Sequence, residues 1–151
     1  MPPSLRPLTC LDSRAVRELF LEIFDECEDS RYAESWRRRV VPLSYGYFSA
    51  EGALLGFALV AKAPHGYYLN YICVSPEAQG KSIGSQMLLT ILMKLKETKQ
   101  SLSLVPVDNV KTIDWYKRIG FYVSNEWEAS GGVKALFMTR HAYNTRTCPS
   151  L

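Results

Sequence analysis

The chain has 151 residues, 47% of them hydrophobic and 22% charged, and a formal net charge of +3. That length suits one compact domain with a real core, and so small a charge excess, with no basic stripe interleaved with aromatics, argues against nucleic acid as a partner. Its four cysteines (Cys10, Cys27, Cys73, Cys148) form no CxxC pair and its two histidines, His65 and His141, lie at no ligand spacing from them, which speaks against a zinc site and against a disulfide framework.

Met1–Pro7 has no apolar run, and no stretch approaches the ~20 apolar residues of a membrane span. A soluble, intracellular and cytoplasmic protein with no membrane partner is expected. Residues 4–9 read as a short strand. Thr9 or Asp12 can cap a helix to about Phe24, with Val16, Leu19, Phe20 and Ile23 on its buried face. The polar stretch Asp25–Arg31 leads to a second short helix through Trp36 to Arg39, stopped by Pro42. Tyr45–Ser49 and Leu54–Lys62 flank the turn Ala50–Ala53 as a hairpin. Gly66 opens a strand, Tyr67–Val74, rich in aromatic and β-branched residues and ended by Pro76.

The strongest helix pattern follows, from Ile83 to about Thr98, with Ile83, Met87, Leu88, Ile91, Leu92 and Leu95 on one face. Ser101–Val105 is a strand stopped by Pro106. Asn109–Ile119 is a helix, capped by Asp108 or Asn109 and closed by Gly120. Phe121–Glu128 and Val133–Arg140 are strands joined at Gly131–Gly132. The order is a mixed α/β pattern around one sheet, with a strand–helix–strand crossover at its centre. Residues 1–140 form the single domain expected, and 141–151 a frayed tail.

Two segments carry chemistry. In Val74–Leu88 a strand ends, a glycine-bearing turn follows and a long amphipathic helix begins. Unpaired N–H groups at a helix N-terminus suit an anion such as pyrophosphate. Gly80 and Gly84 let the main chain approach phosphate oxygens, and Lys81 adds charge at the mouth. Gly80-Lys81-Ser82 mimics the end of a P-loop, but Ser75 stands where that motif needs a glycine; the dinucleotide fingerprint GxGxxG is absent. Glycines serving turn geometry alone would also explain the loop. In the second segment, Pro106–Tyr122, Asn109 and Tyr116 stand seven residues apart, about two helical turns, and so share a face. Asn109 also reads as a helix cap, and Tyr116 as a core aromatic with a satisfied hydroxyl.

Together these segments resemble the GNAT acetyltransferase superfamily. Its loop reads Gln/Arg-x-x-Gly-x-Gly/Ala after a strand ending Val-x-Pro, and Gln79, Gly80, Ile83 and Gly84 match it. Its next motif runs from an Asn to a Tyr and then Gly-Phe, as do Asn109, Tyr116, Gly120 and Phe121. The pattern's first glycine is Ser82 here. With negative φ the serine costs little and its N–H still serves a phosphate; with positive φ the loop is strained.

The resemblance implies a GNAT-type fold: a mostly antiparallel twisted sheet of about six to seven strands and about four helices, splayed at a central parallel pair. It implies acetyl-CoA as cofactor, with Ile72, Cys73, Val74, the loop Gln79, Gly80, Lys81, Ser82, Ile83, Gly84 and Ser85, and Asn109, Thr112 and Tyr116 around it. Asn109 would touch the pantetheine arm and Tyr116 would protonate the leaving thiolate. Main-chain N–H groups near Cys73 and Val74 would hold the oxyanion. Cys73 would not be a nucleophile, since the family transfers directly and no activating histidine is near in sequence.

Many relatives place a glutamate where this chain has Asn70, or a carboxylate near Leu104. Asn70, flanked by Tyr68 and Tyr71, could hold a water that relays the proton; Asp108 and Glu126 are the alternatives. The acceptor would be a primary amine: a small molecule, a polyamine, or a protein lysine or N-terminus. The acidic stretch Glu22, Asp25, Glu26, Glu28 and Asp29 would attract a cation, or is a solvated loop balanced by Arg31 and Arg37–Arg39. A CoA-binding module without turnover is the rival reading, and a monomer and a homodimer are both compatible with the sequence.

Overall fold

The computed structural model describes residues 2–23, 43–64, 66–106, 109–129 and 133–140. Among them seven strands form one sheet: β1 (Ser4–Pro7), β2 (Tyr45–Phe48), β3 (Leu54–Ala63), β4 (Gly66–Val74), β5 (Leu102–Leu104), β6 (Tyr122–Ala129) and β7 (Val133–Arg140). Three α-helices accompany it: α1 (Ser13–Ile23), α2 (Ile83–Thr98) and α3 (Val110–Ile119). The strand order is β1-β2-β3-β4-β5-β7-β6. Every pairing is antiparallel except β4–β5, the pair joined through α2. The expected helix through Trp36, the Gly131–Gly132 turn and the tail 141–151 lie outside the described residues.

Helices cover both faces of the sheet. Ile83, Met87, Leu88, Ile91, Leu92 and Leu95 of α2 pack with Ala58, Val60, Leu69, Leu102, Leu104 and Met138, joined by Tyr116 and Ile119 of α3. On the opposite face Val16, Leu19 and Phe20 of α1 pack on Phe48, Phe57, Leu59 and Cys73. Alternation along β3 sends Phe57 and Leu59 one way and Ala58 and Val60 the other. Both capping candidates for the first helix act at once. The Thr9 side chain caps a short 3-10 turn leading into α1, while the Asp12 carboxylate accepts from the Thr9 N–H at 2.8 Å. Arg6 clamps that carboxylate with two bonds of 2.9 Å, which holds the Asp12 carboxyl below its ordinary range.

A bulge in β4 prepares the site. Leu59 pairs with Tyr71 and Val60 with Leu69, so Asn70 is an extra residue with no opposite number on β3. The parity of the strand flips there. Tyr67 and Leu69 face α2, and so do Ile72 and Val74, whereas Tyr71 and Cys73 face α1. Simple alternation through Tyr67–Val74 predicts one parity throughout and misses this. The parallel ladder ends just before the bulge: β4 pairs with β5 only at Tyr67↔Leu102 and Tyr68↔Ser103. The two strands part beyond that point.

Candidate active site

A cleft of roughly 740 Å³ fills the gap where β4 and β5 part. Its walls come from β4 (Asn70, Ile72, Cys73, Val74), from the end of β5 (Leu104, Pro106) and from α3 (Thr112, Trp115, Tyr116). Ile23 at the end of α1 and Tyr71 close another side. A smaller cavity of roughly 160 Å³ lies over the loop entering α2, lined by Gly80, Ser82, Ile83 and Ser85. Val74, Gln79, Gly84 and Trp115 border both. One continuous trough therefore runs from the parted strands to the N-terminus of α2.

The main chain of the loop has features that could receive an anion. After a 3-10 turn at Pro76–Ala78, Gly80 takes φ +83° and Ser82 takes φ +59°. Both are left-handed, a conformation also found in main-chain turns that receive anions. The first turn of α2 adds its own unpaired donors and partial positive charge. Two glutamines brace the loop: Gln79 Nε2 donates to the Val74 carbonyl at 3.3 Å, and Gln86 Nε2 to the Lys81 carbonyl at 3.4 Å. Gly84 is not required by the protein's own packing, since an added Cβ would meet only Val74 Cγ2 at 3.7 Å. A glycine in a helix is unfavourable by ~1 kcal/mol relative to alanine. Here it keeps the floor between the two cavities open.

Ser82 is the strained member. A serine in the left-handed region costs on the order of 1–2 kcal/mol, and its side chain makes no capping hydrogen bond in return. Of the two conformations open to it in the sequence, the chain adopts the costly one.

Tyr116 is buried at the cleft wall between Trp115 and Phe121, with ring centroids 4.8 and 5.6 Å away. Burial pushes its phenol up from 10.0 to about 12, so it stays protonated throughout the neutral range. Among the described residues its hydroxyl has no hydrogen-bond acceptor. Cys73 is likewise buried, and its thiol rises from 9.0 to about 12. A thiol held in that state is a poor nucleophile.

Other expected site residues are placed differently. Lys81 is exposed and lines neither cavity. Asn109 is exposed just before α3, where its Oδ1 accepts from the N–H groups of Lys111 (2.9 Å) and Thr112 (3.3 Å) as the helix cap. Asn70 lines the cleft; Glu126 is exposed on β6 and is not in the lining. Asp108 and the acidic residues from Asp25 to Asp29 lie outside the described residues. No Asp or Glu among the described residues lines either cavity.

Trp115 escaped the sequence reading, although Thr112, Trp115 and Tyr116 have the i, i+3, i+4 spacing of one helix face. Its Nε1 donates to Ser85 Oγ at 3.2 Å, linking α3 to the first turn of α2.

Solved structures share this architecture. The ribosomal-protein-S18-alanine N-acetyltransferase of Escherichia coli superposes with a TM-score of 0.77 at 18% identity, covering 99% of each chain. The PaiA N-acetyltransferase of Thermoplasma acidophilum, solved with coenzyme A, gives 0.71 at 21% identity over 93% of this chain and 99% of its own. Arabidopsis thaliana Naa50, solved with the bisubstrate analogue CoA-Ac-MVNAL, gives 0.71 at 17% identity over 93% and 99%. No curated protein sequence matches the chain. The model of the Acetyltransferase (GNAT) family matches residues 13–121, from the start of α1 through Phe121. A match over that span, on a chain whose parallel β4–β5 pair opens beside a left-handed loop and a helix N-terminus, makes this protein a member of the GNAT acetyltransferase family.

Proposed function

We propose that the chain transfers the acetyl group of acetyl-CoA to a primary amine by direct attack within a ternary complex. One observation carries the reading: the cleft at the parted strands joins the anion-binding loop through Val74, Gln79, Gly84 and Trp115, with the protonated Tyr116 on its wall. A diphosphate on the Gln79–Ser85 loop would leave the pantetheine arm to run between β4 and β5. The thioester would then lie beside Tyr116.

The chain's own residues divide the work. Main-chain N–H groups near Cys73 and Val74 would receive the oxyanion. Tyr116 gives its proton to the departing thiolate. Burial keeps the phenol protonated at neutral pH, so it has a proton to give when the thiolate leaves. The amine must arrive neutral, and the uncharged lining of the described cleft disfavours an ammonium ion by desolvation. Asn70, turned by the bulge, would orient a water that takes the remaining proton.

The acceptor is a primary amine of a small molecule, a polyamine, or a peptide or protein. The CoA–peptide conjugate held by Naa50 gives a precedent for the last of these in the same fold. The absence of an Asp or Glu from the cleft lining among the described residues, and the strained Ser82, favour a second reading, a CoA-binding module without turnover. One experiment separates the two. CoA release is measured with a panel of amines for wild type and Tyr116→Phe. If Tyr116 is the acid, the variant turns over about 10- to 1000-fold more slowly. Equal rates in the two proteins remove Tyr116 from the mechanism, and CoA binding with no release by the wild type favours the module.

A further inference from the structure

Ser85 is 8% exposed and sits in the first turn of α2. Its oxygen accepts the Trp115 indole N–H at 3.2 Å. The hydroxyl's own hydrogen has no acceptor among the described residues, although a buried hydroxyl ordinarily uses its donor. Ser85 and Trp115 both line the small cavity over the anion-binding loop. The hydrogen therefore has one evident place to go, a ligand oxygen in that cavity. An oxygen that already accepts a hydrogen bond is also a better donor.

The same indole also bears on the acid. Trp115 borders the larger cleft too, and its ring lies 4.8 Å from that of Tyr116 at an interplanar angle of 56°. The β4–β5 ladder ends at Tyr68 and Ser103, so the strands do not fix α3 against α2 at the cleft. The Trp115–Ser85 bond adds a polar link between the two helices there, beside the apolar packing of Tyr116 and Ile119 with α2.

We propose that Trp115 is a positioning residue that holds the Ser85 hydroxyl toward a diphosphate oxygen of the cofactor and, through the same ring, braces Tyr116. The inference rests on the acetyl-CoA reading above. It assigns Ser85 a side-chain donor role in addition to its main-chain N–H.

Calorimetry with CoA, and competition with ADP, which carries a diphosphate without the pantetheine arm, test it on the full chain. Trp115→Phe keeps an aromatic ring but removes the indole N–H with part of the fused ring, whereas Ser85→Ala removes the hydroxyl alone. Each should weaken CoA about tenfold, and ADP by the same factor, because the contact is at the phosphates. The double variant should also lose about tenfold rather than a hundredfold, since both changes break one linked interaction. Unchanged CoA affinity in Trp115→Phe, or losses that multiply, overturns the proposal while leaving the enzyme reading intact. If Trp115→Phe does not fold, an unchanged ADP affinity in Ser85→Ala overturns it instead. A wild type that binds no CoA removes the acetyl-transfer reading and this inference with it.

Discussion

Arg140, the last residue of β7, donates from Nε to the main-chain carbonyl of Ile119 at 3.0 Å, at the C-terminal end of the helix that carries Tyr116. The arginine is 8% exposed, so its charge lies in the protein rather than in water. It complements the negative end of α3, where Lys117 and Arg118 also stand in the last turn. Gly120, at φ +111°, completes the terminus by donating to Lys117 and Tyr116 carbonyls. The sheet thus holds the C-terminal end of the helix that carries Tyr116.

Arg140→Met keeps most of the side chain's length and removes the charge and the donor. Hydrogen bonds from charged groups contribute ~1.5–3 kcal/mol, so a loss of about 2 kcal/mol in unfolding free energy is expected. Urea denaturation reads it. A midpoint unchanged from wild type would show that the grip contributes nothing.

Ser82 and Lys99 both hold left-handed φ, +59° and +55°, at opposite ends of α2. Replacement by glycine relieves the steric cost in the fold but adds freedom to the unfolded chain, so each should gain about 0.5–1 kcal/mol. Lys99→Gly should leave CoA affinity unaltered, because Lys99 closes the far end of the helix. Ser82→Gly should bind CoA at least as tightly as wild type. Weaker binding by Ser82→Gly, with Lys99→Gly unaffected, would instead make the Ser82 hydroxyl a ligand for the cofactor.

Much of the fold was legible because the relevant signals are local. The apolar face from Ile83 and the glycine at 120 set helix limits that the structure reproduces to within a residue. The capping role weighed for Asn109 is realised, since a side-chain oxygen before a helix finds its N–H groups without tertiary help. The bulge at Asn70 left no mark of that kind: no glycine or proline announces it, and alternation continues on both sides with its phase shifted. The sign of φ at Ser82 was equally hidden, because the letters of the loop allow both signs. Trp115 needed the distance between α2 and α3, which no single segment contains. Recognition of the site therefore came from motif order, and its working parts from the three-dimensional arrangement.

Alkaline pH should unfold this protein by a route that names two residues. Cys73 and Tyr116 have ordinary values of 9.0 and 10.0, and burial raises each to about 12 in the fold. The folded state thus binds more protons than the unfolded state between those limits. Stability from both groups is complete below about pH 9 and is lost as pH rises toward 12. From pH 9 to 10 the loss belongs mainly to Cys73, since an unfolded thiol with its ordinary value of 9.0 ionises ahead of an unfolded tyrosine at 10.0. Cys73→Ala should flatten the stability–pH curve from about 9 upward, and Tyr116→Phe only above about 10. Urea midpoints at pH 8, 9.5 and 11 distinguish them. Parallel curves for all three proteins would mean that neither group is buried as described.

Asn109 offers a way to separate a helix cap from a cofactor contact. Its Oδ1 is committed to Lys111 and Thr112, which leaves its amide N–H₂ for any ligand. Asn109→Asp keeps the accepting oxygen and puts a negative charge at the helix N-terminus, so stability should hold or rise slightly. Asn109→Ala should cost about 1 kcal/mol through the lost cap. If the amide also reaches the pantetheine arm, the aspartate variant keeps its stability yet raises the KM for acetyl-CoA. The measurement is therefore a pair, unfolding free energy and KM on the same preparations. A stable aspartate variant with unchanged KM confines Asn109 to the cap, and the arm must then be held by Thr112 and Tyr116, which do line the cleft.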